Sequence, residues 1–402
     1  MAGGLVSVGG SLSRGSLGTI NLNSGGTLQI GTGGTSGVLL GGTGALTSNG
    51  TLILNRSDAY AHSGVLSGSG AVVKQGAGTL TLSGANTYSG GTIVTSGTLA
   101  VGSTSALGSG NLAVNAGTLD LLGTSVGVAT LSGSSGAIIT SSTAGAVTLT
   151  GSSASSSTYA GVIQNGSGTV GLVKQGAGTL TLSGANTYSG GTTVSAGKLI
   201  VNGSLANSAV TVGSGGTLGG SGTLGALVTV QSGGVLSPGN SPGAIAAAVL
   251  DLQAGSTTLM EVIGSGVNAG VAGTDYDQIR ITTPSSLSYG GNLVLSFISS
   301  PLFDNGTMFS LFSFTGTAAG GFTSVTTAAG SSSYSGLTFG YNANGNWYTP
   351  DTSRGQYLVF DPASGRLSIV PEPSTWILAA IGAALVALKA SRRNLRARLT
   401  TG

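Results

Sequence analysis

Val73 to Thr92 reads Val-Lys-Gln-Gly-Ala-Gly-Thr-Leu-Thr-Leu-Ser-Gly-Ala-Asn-Thr-Tyr-Ser-Gly-Gly-Thr, and Val173 to Thr192 repeats it unchanged. At its centre, Gly78-Thr79-Leu80-Thr81-Leu82 alternates leucine with a small polar residue. Successive side chains of a strand face opposite ways, so Leu80 and Leu82 point inward while Thr79 and Thr81 point outward. Looser copies of Gly-Thr-Leu-x-(Leu/Ile/Val) begin at Gly26, Gly50, Gly97, Gly117, Gly178, Gly197 (with Lys198 for Thr), Gly216 and Gly234. The steps from Gly78 to Gly97 to Gly117 are 19 and 20 residues, and those from Gly178 through Gly197 and Gly216 to Gly234 are 19, 19 and 18. A period near 20 made of short strands, with no helical pattern between them, is the mark of a solenoid. Gly-Gly and Ser-Gly pairs supply the corners. One coil cannot bury its leucine row, but stacked coils bury a continuous column and pair each other's backbones.

The expectation is an all-β chain whose first domain, residues 1–243, is a right-handed parallel β-helix. Near-identical repeats lie at 73–103 and 173–203. At ~20 residues per coil and ~4.8 Å per strand spacing, the column holds roughly 12 coils and stands about 55–60 Å tall. Leu236-Ser237-Pro238-Gly239-Asn240-Ser241-Pro242-Gly243 breaks the period, and prolines do not suit a stacked ladder, so the helix should stop there. Residues 244–369 carry more aromatic and charged residues and longer strand patterns at 278–282, 292–298, 308–314 and 356–360. They read as an all-β closing domain over the apolar end of the column, which would otherwise be an open edge.

The repeats from Gly76 to Thr92 and from Gly176 to Thr192 resemble the autotransporter-associated β-strand repeat of secreted bacterial passenger domains. The resemblance implies export and a β-helical stalk. It does not extend to the end of the chain, where no run of ~10-residue amphipathic membrane strands follows, so self-translocation is not expected.

The tail, residues 370–402, has three parts. Pro371-Glu372-Pro373 comes first, and an uncharged apolar stretch from Trp376 to Leu388 follows, including Ile377, Leu378, Ile381, Leu385 and Val386. Lys389, Arg392, Arg393, Arg396 and Arg398 end it with no acidic residue. An apolar helix over 376–388 at ~1.5 Å per residue covers roughly 20 Å, less than the ~30 Å hydrocarbon core, so it would be a short anchor. The basic end favours the cytoplasmic side and leaves the body outside. This order is similar to the PEP-CTERM sorting signal. What that implies is handling by an exosortase-type enzyme in a Gram-negative envelope, with transient anchoring in the inner membrane and cleavage near Pro-Glu-Pro. Met1 to Val8 has no basic start and no apolar run, so it is not a secretory leader, and a true start upstream of Met1 is expected.

Composition narrows the chemistry. Gly at 76 of 402 residues, 6% charged residues and no Cys differ from an ordinary enzyme, yet 40% apolar content opposes disorder. Of the 13 basic residues five follow the apolar stretch of the tail, so Met1 to Ser374 carries 8 basic against 10 acidic groups and no basic patch for nucleic acid. Absence of Cys excludes disulfides and thiol chemistry. No cofactor or metal site is expected.

Few residues qualify as catalytic candidates, and none is assigned. His62, the single histidine, lies in Ala59-Tyr60-Ala61-His62, which aligns with Thr158-Tyr159-Ala160-Gly161, and it reads as a corner-exposed residue. A Ser-His-Asp site would depend on His62 alone, and no nucleophile elbow accompanies it. Asp275 and Asp277 share one strand face and could hold Ca²⁺ or act as an acid/base pair, but read better as a solvated strand start with Tyr276 packed inward. Asp304-Asn305-Gly306 reads as a turn, and Lys74 and Lys174 as solvated positions. Gly31-Thr32-Gly33-Gly34 lacks the Gly-Lys-Ser/Thr and following helix of a phosphate loop. The triplets at Asn49 and Asn165 follow from Ser/Thr-rich composition.

The function expected is a non-enzymatic surface or extracellular-matrix protein. Its rigid column would serve display, adhesion or association with exopolysaccharide and cell-surface glycans in a biofilm. Alternatives are a β-helix polysaccharide lyase or hydrolase, or a passive spacer. Only Asp58 and Asp120 are acidic before Gly243, which disfavours the enzyme.

Overall fold

The computed structural model describes residues 5–8, 11–12, 21–39, 43–239, 241–263, 271–298, 303–329, 334–351 and 356–371. Its spine is a 15-stranded sheet that runs from Leu5–Val8 to Ser324–Thr327, with each neighbouring pair parallel. A six-stranded parallel sheet from Tyr60–His62 to Val162–Ile163 forms a second face, and a 13-stranded sheet beginning at Val126–Val128 takes over from it. The described residues are all-β and form a parallel β-solenoid, as the period requires. Among the described residues no helix is long and apolar enough to cross a membrane.

The alternation works as expected. Thr79–Leu82 buries Leu80 and Leu82 and leaves both threonines at the surface. Leu80, Leu99, Leu119, Ile139 and Ile163 are successive ladder partners in five coils, all buried. Each such burial contributes about 1.5–3 kcal/mol relative to an exposed side chain. Gly76 and Gly176 turn the corners at φ +77° and +72°, and a Cβ on either would stand 2.3 Å from a carbonyl oxygen of the preceding coil. No other residue fits there.

The expected break at residue 243 does not end the ladder. Parallel pairing passes from Val235–Pro238 to Thr257–Ile263, then to Asn292–Ile298 and Ser324–Thr327. Pro238 is accommodated as the last residue of its strand: it stands opposite Gly220 on one side, and the ladder with Thr257–Ile263 on the other uses only Val235 and Leu236. The sequence period is lost because the coils lengthen: ladder partners Thr257, Asn292 and Ser324 lie 35 and 32 residues apart.

What closes the column is a five-stranded antiparallel sheet, ordered Met308–Ser310, Arg366–Pro371, Gln356–Asp361, Trp347–Asp351, Gly340–Tyr341. The last strand of the spine is blunted by the chain folding back on it. Phe339 N donates to Val325 O at 3.0 Å, and Thr327 N to Leu337 O at 2.9 Å. The filling changes as well: all eight phenylalanines lie between Phe297 and Phe360. Phe297, Phe303, Phe309 and Tyr334 pack ring on ring, as do Tyr289, Phe312, Phe322 and Phe360. Bulky edge-to-face rings suit a lid that must cover a wide apolar end with few residues. The apolar stretch 376–388 lies outside the described residues.

Candidate functional site

Several ionisable groups of the solenoid are structural. Lys74 and Lys174 are buried, not solvated. Lys74 Nζ donates to the carbonyls of Gln75, Gly76 and Ser96 at 2.9, 2.7 and 3.2 Å. Lys174 Nζ meets Gln175, Gly176 and Ala196 at 2.8, 2.7 and 3.2 Å. Each ammonium gathers the unpaired carbonyls of a corner, which supplies the compensation that a buried cation needs. Gly97 makes room for it, since a Cβ there would come within 2.7 Å of Lys74 Nζ. Burial pushes the Lys74 ammonium down to about 8 and lowers that of Lys174. The period-2 rule carried the signal: Lys74 shares its face with buried Val72, and Lys174 with buried Leu172.

His62 is also corrected. It is fully buried in Tyr60–His62 and pairs in register with Leu82. In the other copy Leu182 pairs with Tyr159, so the structural counterpart of His62 is Tyr159 and not Gly161; the sequence alignment was two residues out of step. Neither imidazole nitrogen has a hydrogen-bond partner, and burial lowers its pKa to about 4. A neutral ring with no partner is core filling.

Asp275 and Asp277 separate. Asp275 half-emerges and closes its own loop, with Oδ2 accepting from Val271 N at 2.6 Å. Asp277 is buried rather than solvated, and its oxygens accept from Gly243 N at 2.7 Å and Glu261 N at 2.8 Å. It pins three segments of the lengthened coils together. Burial raises its carboxyl to about 7, against the pull of those two donors. Tyr276 packs inward, edge to face with Phe309. Asp304 to Gly306 forms the expected turn, closed by Thr307 N to Asp304 O at 3.1 Å. Asp58 pairs with Arg56 at 2.7 Å, and the guanidinium hydrogen bond holds its carboxyl below the usual range. Asp120 accepts from Ser142 N and Oγ at 2.9 and 2.6 Å. Asn49 and Asn165 bind the coil that follows through Ser69 and Ser189. Among the described residues no group of three His, Cys, Asp or Glu could hold a metal ion.

Sequence reasoning missed one set of residues within the repeat. Asn86 is buried and bridges three coils, accepting from Leu66 N at 2.8 Å and donating to Ala106 O at 2.7 Å. Asn186 does the same between Ile163 N and Ser204 O, at 2.9 and 3.2 Å. Two residues on, Tyr88 Oη lies 2.5 Å from Thr92 Oγ1 and Tyr188 Oη 2.6 Å from Thr192 Oγ1, all fully buried. The recurrence of Asn-Thr-Tyr with Thr four residues past the Tyr was the available signal.

The sorting tail begins inside the fold. Pro371, the first residue of Pro371-Glu372-Pro373, is the last of the strand Arg366–Pro371 and stands opposite Gln356. Glu372 onward, with the apolar and basic parts of the tail, lies outside the described residues.

Comparison with known proteins accounts for both ends of this layout. The passenger-associated-transport-repeat family model matches residues 72–101 and 172–201, and the PEP-CTERM protein-sorting motif matches 370–393. The first repeat match spans four successive strands and ends at Thr98–Val101, and the second spans five, with the short Ala185–Asn186 added, and ends at Gly197–Val201. No curated protein matches the chain. The sorting motif implies processing by an exosortase-type enzyme. Two passenger-associated-transport repeats on a parallel β-solenoid, followed by a PEP-CTERM sorting motif, are the layout of an exported, cell-envelope-associated protein.

Proposed function

We propose that this chain is a non-enzymatic surface protein, a stiff stalk held at the envelope through its tail, presenting Ser/Thr/Asn-rich faces to exopolysaccharide or neighbouring cells. The observation that carries the reading is the continuity of the 15-stranded parallel spine, which ends under a closing sheet whose last strand runs into the sorting motif. Support also comes from the commitment of the solenoid's ionisable groups. Lys74, Lys174, Asp58 and Asp120 all bond within the column, whereas a glycan-cleaving site needs a pair of carboxylates flanking the bond to be broken. The tail would anchor the body transiently in the inner membrane of a Gram-negative cell before release to the surface or matrix.

The test is location. The full chain behind a secretory leader, in a host with an exosortase, should become accessible to external protease. Replacing Pro371, Glu372 and Pro373 by Ala should retain it, uncleaved, in the inner membrane. Recovery of the intact protein in the cytosol in both cases would reject the proposal. Turnover of an acidic polysaccharide, lost in Asp275→Asn or Asp277→Asn, would favour the enzyme instead.

A further inference from the structure

The closing sheet does not seal fully against the solenoid. Between them lies a cleft of about 480 Å³, lined on the solenoid side by Tyr289, Gly320 and Phe322 and on the sheet side by Tyr341, Trp347 and Pro362. Its size falls in the range of small-molecule sites, about 300–1,000 Å³. Two features set it apart from a packing gap. Tyr341 is 63% exposed and its ring centre lies 5.1 Å from that of Trp347 with the planes tilted at 57°, so an exposed aromatic face stands at the rim with a second ring beside it. Tyr289, 4% exposed in the wall, has a buried hydroxyl with no hydrogen-bond partner, which is rare because it costs about 1–3 kcal/mol. Gly321 faces open space, and a Cβ there would meet nothing within 4 Å.

We infer that this cleft binds a neutral sugar unit of a polysaccharide, stacking the apolar face of the ring on Tyr341 beside Trp347 and offering hydroxyls to Tyr289. A pyranose has the required combination of one C–H face and a polar edge, which flat apolar ligands and ions lack. Asp361, which precedes the wall residues Pro362 and Ala363 and accepts from Ala363 N at 2.9 Å and Ser364 Oγ at 2.6 Å, sets a negative charge close enough to act on Tyr289, which disfavours uronates and sulfated sugars. This inference rests on the glycan-display reading and supplies its ligand class.

Trp347 makes the site observable, since the second of the two tryptophans, Trp376, can be replaced by Phe. Purified full-length Trp376→Phe protein is titrated with cellohexaose, maltohexaose and polygalacturonate while Trp347 fluorescence is followed. A saturable change with at least one neutral oligosaccharide is expected, with affinity about tenfold weaker in Tyr341→Ala, equivalent to about 1.4 kcal/mol. Tyr341 is exposed, so its removal leaves the fold intact, and an unchanged melting midpoint verifies this. Tyr289→Phe should weaken binding by a smaller factor. No saturable response to either neutral sugar, tighter binding of polygalacturonate, or unchanged affinity in Tyr341→Ala would each overturn the assignment. The assay is independent of cellular location, so a surface-exposed protein that fails it rejects the cleft alone, and a cytosolic protein that passes it rejects the display reading alone.

Discussion

Residues 73–92 and 173–192 are the same peptide in two different places. In the first copy Thr79–Leu82 belongs to the six-stranded sheet, and its neighbours Val72–Gln75 and Thr92–Val94 belong to the spine. In the second, Thr179–Leu182 is itself part of the spine, while Thr169–Lys174 and Thr192–Val194 lie in the 13-stranded sheet. The strand Val126–Val128, inserted between the spine's coils, opens that third sheet and shifts the phase by one face. Yet the lysine cap and the Tyr–Thr pair recur with nearly equal distances, and the asparagine bridge recurs with its donated bond at 2.7 Å in the first copy and 3.2 Å in the second. The repeat therefore encodes the cross-section of a coil, and neighbouring coils decide which sheet it joins.

If that is correct, paired substitutions should cost the same in both copies, as read from urea midpoints at unchanged slope. The largest loss is expected for Asn86→Ala and Asn186→Ala, about 3 kcal/mol each, because each strands a buried N–H and a buried C=O. Lys74→Met and Lys174→Met should follow at about 2 kcal/mol, with the corner carbonyls left unpaired. Tyr88→Phe and Tyr188→Phe should lose about 1 kcal/mol, one buried hydrogen bond apiece. A loss confined to one copy would show that sheet context, not the coil, governs these contacts.

The smallest effect sharpens a site where the surroundings of the copies differ, His62 against Tyr159. With its pKa near 4 in the fold and 6.5 when unfolded, His62 is protonated only in the unfolded chain between those values. The wild type therefore loses stability as pH falls through that window. His62→Leu should stabilise the protein, and its gain at pH 6 should exceed that at pH 8 by about 0.8 kcal/mol. Equal gains at both pH values would mean that the imidazole titrates alike in the folded and the unfolded chain.

The fold class was legible because leucine parity and glycine corners state it locally, as in Thr79–Leu82. What escaped was non-local. The 35- and 32-residue coils after Thr257 keep the ladder while erasing the period by which a ladder is recognised. Lys74, Lys174 and Asp277 were misplaced because charge suggests solvent, and only the folded corner or the converging N–H groups reveal the compensation. Asn86 was invisible for a similar reason, since its partners stand one coil away on either side.

Arg366–Pro371 is held on both flanks, by Met308–Ser310 and by six ladder partners in Gln356–Asp361, with Leu367 and Ile369 fully buried. The sorting motif is thus the direct prolongation of an interior strand. A tug on it is borne in shear across all the rungs together, whereas a handle hung from an outer strand would peel away rung by rung. Cutting just past Pro371 would set the stalk free with its lid uncut.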